Sequence, residues 1–492
     1  MRFPLLVGTA LVALALPAAA SADTLRDALA KAYENNPTLT GARASQRVTD
    51  ETVPLARANG LPNVGVQGSY TEYVLQSSNN FTSPDRAFSI GPQISIPIYQ
   101  GGAVKNAVNA AEKRVEAGQA NLRATESSIF SQAVAAYMDV IRDQALVALN
   151  RSNVDVLGVN RQATGDRFEI GDLTRTDVAQ SESRLATARS QLQTAESRLI
   201  SSRERYIQII GDAPTDLQPP PPLPNLPASP QEAVTVALAD NPDIEAAQIT
   251  VDATRYDIRT AKASRLPQVS LTGQTGYVNY LGTIGSNTPG VSFAQSSTTG
   301  SAGITATIPI FQGGRPAAQV RQAQARSSQS MERLVETERS VVAQVRSAFA
   351  SWQASLQVIQ SAQVASDAAQ LSLEGVRAEN SVGNRTILDI LNAEQEYLNA
   401  QVTLVSSRRD AYVAAFTLLA AMGKAEAQDL GLDGGALYDP QLNYDRVRNR
   451  VWDWDQDPAP APQATTTVNT PAQNAQVTDD AASPMRTTPA PQ

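Results

Sequence analysis

The chain shows two kinds of hydrophobic pattern, and both occur in each half. In the first kind, apolar residues recur at helical spacing within segments rich in Ala, Ser, Gln, Arg and Glu, which predicts amphipathic helices. In the second kind, apolar and small polar residues alternate one by one, which predicts strands. The helical segments are 24–58, 103–169, 173–210, 315–380 and 385–422. The strand segments are 64–71, 88–98, 269–273 and 304–310. The pattern therefore predicts a mainly helical chain with four strands.

A glycine-rich motif stands where each pair of strands gives way to a helix. Its first copy, residues 96–102, reads IPIYQGG, and its second, residues 308–314, reads IPIFQGG. A proline at a strand end removes one ladder donor, and glycines adopt backbone angles that are closed to other residues. We therefore expect each motif to form a joint between sheet and helix. The joint residues are Pro97, Gln100, Gly101, Gly102, Pro309, Gln312, Gly313 and Gly314.

The recurrence of this joint belongs to a duplication of the whole chain. Asn36-Pro37 recurs as Asn241-Pro242, 205 residues later, whereas Gln100 recurs as Gln312, 212 residues later. Constant offsets of this kind mark an internal repeat. Because the offset changes only between the two strands of a repeat, the added residues of the second half belong to a loop there.

The lengths of the helical segments predict how each half folds. The segment 103–169 would form a helix of about 100 Å, at 1.5 Å per residue. The segments 24–58 and 173–210 together have nearly the same length, so we expect shorter helices stacked end to end beside one long helix. Such helices bury little alone and should pack along their neighbours through small residues. The chain would turn back at Gly171 and at Gly383.

The strands suggest a membrane. Alternation of apolar with small polar residues over about ten positions suits a strand that has one face toward lipid and one toward water. The alternative is the edge of a soluble β-sandwich, because alternation is a weak signal in a single segment. About eight strands are needed to close a barrel, so several copies of this four-stranded chain would have to share one.

The remaining segments set the domain boundaries. The N-terminus reads as a secretory signal peptide, with Arg2, an apolar run and a small-residue cleavage site; a retained membrane anchor is the alternative. A proline-rich stretch between the repeats predicts an extended linker. The C-terminal residues are too rich in Pro, Ala, Thr and Gln to form a core, which predicts disorder. The predicted division is signal peptide 1–22, first repeat 23–211, linker 212–230, second repeat 231–424, C-terminal extension 425–454 and disordered tail 455–492.

Composition narrows the chemistry. The chain has no Cys and no His, which excludes a Cys/His zinc site, a Cys nucleophile and a Ser-His-Asp triad. Its formal net charge of −8 argues against a nucleic-acid partner. The sequence gives no support for an enzymatic function beyond scattered Ser, Asp and Glu residues. We expect no cofactor and no metal.

The repeated Asn-Pro and Leu-Pro pairs, the two joints and above all residues 381–393 (SVGNRTILDILNA) resemble the TolC-type outer-membrane efflux proteins. The absence of cysteine places the resemblance with their non-lipidated branch. It implies a homotrimer whose twelve-stranded β-barrel lies in outer-membrane lipid and continues into a periplasmic α-helical coiled-coil tunnel. The implied function is the exit duct of an efflux pump or a type I secretion system. The implied partners are a periplasmic adaptor protein and an inner-membrane pump, either a resistance-nodulation-division transporter or an ABC secretion ATPase. A secreted coiled-coil scaffold without a pore is the alternative.

The resemblance also implies a gate at the turns between long and returning helices, opened by an iris-like motion of the helical hairpins. Arg385 matches a latch residue whose partners are Thr176 and Asp177. Asp389 matches an aspartate whose three copies ring the closed entrance. The hairpin tips, where the adaptor would bind, contain Gly171, Asp172, Gly383 and Asn384.

Two positions of the implied gate depart from the family pattern. Asn392 stands where a second aspartate ring often occurs, and Asn380 stands where a latch tyrosine occurs. A double acidic ring and a complete latch are therefore not implied for this chain.

The same residues also have a purely structural interpretation. Thr174-x-x-Asp177 and Thr386-x-x-Asp389 occupy equivalent repeat positions, and each reads as a capping box at the start of a returning helix. Arg385 and Asp389, four residues apart, could form an ordinary exposed helix pair.

Overall fold

The computed structural model describes residues 23–76, 84–285, 290, 292–432 and 437–477. The predicted signal peptide, most of the loop after the first strand and residues 478–492 lie outside these ranges. In chain order the helices and strands are α1 (Leu25–Asn35), α2 (Pro37–Asp50), α3 (Thr52–Ala58), β1 (Asn63–Glu72), β2 (Arg86–Gln100), α4 (Ala103–Glu169), α5 (Arg175–Ile210), α6 (Pro230–Asp240), α7 (Pro242–Ala263), β3 (Gln268–Asn279), β4 (Ser296–Thr307), α8 (Arg315–Ser381), α9 (Ile387–Ala421) and α10 (Pro440–Val447).

Each half contains one long helix flanked by shorter helices, which confirms the arrangement predicted from the lengths. The long helices α4 and α8 have 67 residues each, or about 100 Å. Helices α1, α2, α3 and α5 pack along α4, and α6, α7 and α9 pack along α8. Across the described part of the chain, no helix combines the length and the apolar character needed to cross a membrane.

An Asn-Pro pair fixes the point where the shorter helices of a repeat meet. The Asn36 side chain accepts a hydrogen bond from the N–H of Thr38 at 2.9 Å, while its amide nitrogen donates to the carbonyl of Ile209 at 2.8 Å. One side chain therefore caps the start of α2 and binds the end of α5. Asn241 does the same in the second repeat, where it donates to the carbonyl of Ala421 at 3.0 Å.

The four strands form one antiparallel sheet in the order β1-β2-β3-β4. Strands β2 and β3 join the two repeats, so β1 and β4 lie at the edges. The sandwich alternative is wrong, because the strands form a single layer whose apolar side chains stay exposed. Exposed apolar residues of the strands include Val64, Val66, Ile90, Ile94 and Ile304.

The fourth strand is shorter than the alternation predicted. The pattern of apolar residues continued to Ile310, but β4 ends at Thr307. Thr307 pairs with Gln268, the first residue of β3, so no strand of the described residues lies beside residues 308–312. In the first repeat the equivalent residues remain in β2, because β3 continues along them as far as Gln100.

The main hydrophobic core lies where α1, α4 and α5 meet the linker between the repeats. The buried Tyr137 donates its hydroxyl hydrogen to the carbonyls of Asp23, at 2.9 Å, and Gln218, at 2.6 Å. Leu217 of the linker is itself buried. Near the second repeat, Tyr412 donates to the carbonyl of Pro221 at 3.1 Å. The linker is therefore held against the helices at several points.

The C-terminal segment is more ordered than its composition predicted. Residues 455–477 follow a defined course, and the rest of the predicted disordered tail lies outside the described residues. Arg203 of α5 donates to the carbonyls of Asn474, at 2.5 Å, and Gln476, at 2.8 Å. Val477 packs against the main core. A segment with few apolar residues cannot form a hydrophobic core of its own. It can still take a defined course when it packs against a core that other parts of the chain have formed.

Candidate functional site

The first hairpin tip, residues 167–177, is closed by its own side chains. Helix α4 ends at Glu169, and Gly171 reverses the chain with φ of +84°, which a residue with a side chain rarely adopts. Arg167 pairs with Asp172 at 2.7 Å. Thr174 then caps α5, since its hydroxyl lies 2.7 Å from the Asp177 carboxylate and its oxygen accepts the Asp177 N–H at 3.3 Å.

The second tip, residues 379–389, has the same backbone and a different charge pattern. Gly383 adopts φ of +83°, and Thr386 and Asp389 form the same capping box. Arg385 pairs with Glu379 at 2.7 Å. The position that holds Arg167 in the first tip thus holds Glu379 in the second, and its partner Arg385 follows Asn384, the equivalent of Asp172.

Five of the predicted gate residues therefore have partners within one chain, namely Asp177, Asn380, Arg385, Asp389 and Asn392. The two predicted capping boxes are confirmed. The prediction of an ion pair between Arg385 and Asp389 is wrong, because Arg385 pairs with Glu379 instead. Within the chain, Arg385 does not contact Thr176 or Asp177. Asn380 donates to the carbonyl of Arg385 at 2.6 Å, which braces the turn.

The two capping carboxylates are held in their charged form. The Thr386 N–H and hydroxyl bonds lower the pKa of Asp389, and the Thr174 hydroxyl and N–H bonds lower the pKa of Asp177. Hydrogen bonds to a carboxylate favour ionisation. Each tip therefore presents an anionic side chain at neutral pH.

Two polar contacts near the tips connect one hairpin to the other, and the sequence did not predict them. Arg184 of α5 donates to the Asn392 side chain of α9 at 2.8 Å. Asn160 of α4 donates to Glu394 at 3.0 Å, and Arg377 of α8 binds the same carboxylate oxygen at 3.0 Å. Asn392, predicted to occupy a ring position, lies at the seam between the hairpins.

Glu394 is the most buried member of this group, at 5% exposure. It is an acidic residue on a face of α9 that also carries the buried Leu391 and Leu398. A carboxylate in an apolar stripe needs a partner. The spacing of three and four residues that separates Glu394 from Leu391 and Leu398 was the sequence signal for a buried carboxylate. It could not identify the partner Asn160, which is distant along the chain.

The joints have equivalent conformations. Gly101 and Gly313 both have φ of +60°, and the next glycines, Gly102 and Gly314, cap α4 and α8 with φ of +79° and +81°. Pro97 lies beside a β-bulge in the pairing of β2 with β3, whereas Pro309 follows the end of β4.

Hydrogen bonds of the joint glutamines fasten each sheet end to the preceding helix. Gln100 donates its side-chain amide to the carbonyl of Asn59, which caps the end of α3, at 3.2 Å. Gln312 donates to the carbonyl of Ser264, which caps the end of α7, at 3.4 Å. In both repeats the end of the sheet is therefore fixed to the short helix that precedes it.

Comparisons with known proteins bear on this architecture. A family model described as outer membrane efflux protein matches residues 28–212 and 233–424. The chain is 34% identical over 432 residues to outer membrane efflux protein BepC of Brucella suis biovar 1 (strain 1330), covering 88% of this chain and 92% of BepC. It is 26% identical to outer membrane protein TolC of Escherichia coli (strain K12), over 89% of each protein. The solved structure of the Campylobacter jejuni CmeC outer membrane channel matches with a TM-score of 0.72 at 18% identity, covering 86% of this chain and 89% of that one.

Proposed function

The chain belongs to the outer membrane efflux protein family, and we propose that three copies assemble into a passive exit duct leading from the periplasm to the exterior. Its sheet lies in the outer membrane, and its helices lie in the periplasm. One observation carries the proposal: a four-stranded sheet with two open edges continues through glycine joints into helices of about 100 Å.

The open edges support assembly. A strand edge with unpaired N–H and C=O groups is costly in lipid, so a membrane sheet must close on itself. Four strands are too few to close, whereas three chains would supply twelve. The exposed isoleucines and valines of the strands would then face lipid, and the small polar residues between them would face the lumen.

The tips would form the periplasmic entrance. We place the constriction at Asp389, with Arg385 as a latch toward Thr176 and Asp177 of a neighbouring hairpin. Asn392 would stabilise the contact between the two hairpins. Asn380 would stabilise the turn that carries Arg385. Three aspartates converging on an axis repel one another and attract cations. Contacts between hairpins, such as Arg184 with Asn392, would have to change for the entrance to widen.

We propose two kinds of partner for this arrangement. The turns at Gly171, Asp172, Gly383 and Asn384 are the parts of the helical hairpins farthest from the sheet, so a periplasmic adaptor would bind there. An inner-membrane pump, a resistance-nodulation-division transporter or an ABC secretion ATPase, would supply the energy. Family members are channels, and we propose that this duct performs no chemistry of its own.

Conductance in planar bilayers tests the entrance. Asp389→Gln removes the charge but keeps a residue that suits this position of a capping box, and Asp389→Glu keeps both. We expect Asp389→Gln to raise single-channel conductance and weaken block by multivalent cations, and Asp389→Glu to behave like the parent. Equal conductance and equal block in the parent and both variants would show that Asp389 does not line the constriction. A purified protein that stays soluble without detergent would instead support the scaffold alternative.

A further inference from the structure

The C-terminal segment runs along the first three helices toward the sheet. The N–H of Tyr438 donates to the hydroxyl of Tyr33, on α1, at 2.9 Å. Farther along the chain, Asn443 of α10 donates to the carboxylate of Asp50, the last residue of α2, at 2.6 Å. Because α1, α2 and α3 lead in this order to β1, α10 carries the chain toward the end of the sheet.

The segment comes nearest to the sheet just after α10. Arg57, one residue before the end of α3, donates to the carbonyl of Arg448 at 2.7 Å and to the side chain of Asn449 at 2.5 Å. Strand β1 begins at Asn63, and the next residue, Val64, is exposed. Residues 448 and 449 therefore lie near the level where the helices give way to the sheet.

The chain then reverses and runs back along the helices. A Cβ on Gly211, which caps the end of α5, would lie 3.3 Å from Asn35 and 3.3 Å from Thr465. Residue 465 is therefore level again with the end of α1, far from the sheet. Residues 451–455 form the turning point of the C-terminal segment, and we call them the apex.

Two tryptophans lie at the apex, and both side chains are exposed. The N–H of Asp455 donates to the carbonyl of Trp452 at 3.1 Å, which closes a turn, and Arg450 pairs with Asp455 at 3.1 Å. Trp452 and Trp454 are 73% and 81% exposed, and Val451 before them is 64% exposed. Exposed apolar side chains grouped on a braced turn mark a surface that binds something apolar.

We infer that the apex lies in the headgroup region of the periplasmic leaflet of the outer membrane, where Trp452 and Trp454 bind phospholipid. This inference rests on the proposed function, which places the sheet in that membrane. Tryptophan has an apolar ring and an N–H donor, so it is enriched at the level of lipid headgroups. The apex lies at the required level, because the exposed apolar residues of β1 begin at the same end of the sheet.

The charges around the apex indicate that this contact does not depend on anionic lipid. Residues 445–457 contain three arginines and four aspartates, and each arginine pairs with an aspartate of the same segment. The pairs are Arg446–Asp457, Arg448–Asp445 and Arg450–Asp455. The segment therefore has no excess of positive charge for an anionic membrane surface. The two indole rings must supply the attraction.

Tryptophan fluorescence tests the contact, because the chain has only 3 tryptophans. The remaining one, Trp352, is buried in α8, about 55 Å along that helix from the joint. Its indole N–H has no partner among the described residues. Trp352→Phe therefore removes no hydrogen bond and leaves only the apex tryptophans to fluoresce. The matched control is Trp452→Phe/Trp454→Phe, in which only Trp352 fluoresces.

Both variants are reconstituted in vesicles of phosphatidylcholine that is brominated on its acyl chains, since bromine quenches tryptophan on contact. We expect Trp352→Phe to lose at least about three times more of its fluorescence than the control. The loss should be larger with bromine near the headgroup end of the acyl chain than with bromine near the methyl end. Adding anionic phosphatidylglycerol should not change the loss.

A loss no larger than that of the control, or one that requires anionic lipid, would overturn the inference. Quenching by aqueous acrylamide would then show that the apex faces water, and protection from acrylamide would show that protein covers it. Conductance of the same vesicles separates this result from failure of the proposed function. Vesicles that conduct without quenching keep the duct and exclude the lipid contact, whereas a protein that does not enter vesicles overturns both.

Discussion

Glu126 should make the stability of the helical region depend on pH, and one substitution should remove this dependence. The side chain lies on α4 and accepts a hydrogen bond from the N–H of Ala427, in the C-terminal extension, at 2.5 Å. Burial raises the pKa of Glu126 from 4.5 to about 6, and the Ala427 bond, which acts in the opposite direction, does not cancel this effect. The carboxylate is therefore partly protonated in the folded protein at mildly acidic pH.

The size and sign of the effect follow from this pKa. As pH rises from about 4.5 to about 6, the unfolded chain loses this proton before the folded chain does, so the free energy of unfolding falls. A shift of about 1.5 pKa units corresponds to about 2 kcal/mol per chain. In Glu126→Gln the side-chain oxygen can still accept from Ala427, and no charge is buried. We expect the variant to be more stable than the parent by up to about 2 kcal/mol at pH 7.5, and equally stable at pH 4.5.

Thermal unfolding followed by circular dichroism at both pH values measures this difference. Glu338→Gln is the matched control, because Glu338 occupies the equivalent position of α8 and should leave the pH dependence of the parent unchanged. A Glu126→Gln protein that is less stable than the parent at pH 7.5 would refute the reasoning. It would mean that attraction to Arg43 and Arg123, which lowers the pKa of Glu126, outweighs the cost of burial.

Two further predictions concern the core and the joint. Tyr137→Phe should lower the free energy of unfolding by about 1–3 kcal/mol, because two carbonyls lose their donor. Tyr206→Phe, which removes a buried hydroxyl without a partner among the described residues, should be nearly neutral in the same denaturation experiment; equal losses would contradict the argument. Gly101→Ala should reduce the yield of folded trimer more than Gly102→Ala. Both residues have positive φ, but only a Cβ on Gly101 meets backbone, the carbonyl oxygen of Ala263 at 2.9 Å. Equal yields would show that the joint can relax.

The parts of the fold that could be predicted from the sequence depend on local signals. Paired glycines start α4 and α8, and Thr174 and Thr386 cap the returning helices. Each of these residues acts on backbone within a few positions of itself.

The features that were missed depend on what lies opposite a segment in space. Composition predicted disorder at Asn474, because it carries no information about the α5 surface that binds this residue. The end of β4 depends on how far β3 extends beside it. The partner of Arg385 could not be identified from spacing, since Asp389 and Glu379 were both within reach along the chain.

The pairing of Arg385 with Glu379 separates two explanations of the second tip. If Arg385 is a latch toward a neighbouring hairpin, Glu379 competes for it, and Glu379→Gln should release it for the latch and lower the leak current in planar bilayers. Arg385→Ser should raise the leak, and the double variant should behave like Arg385→Ser. Asp172→Asn is the control, because it releases Arg167 at the first tip, an arginine for which no latch role is proposed, and should leave the leak unchanged. If Glu379→Gln leaks as much as Arg385→Ser, the arginine braces its own hairpin, since loss of either partner then has the same effect.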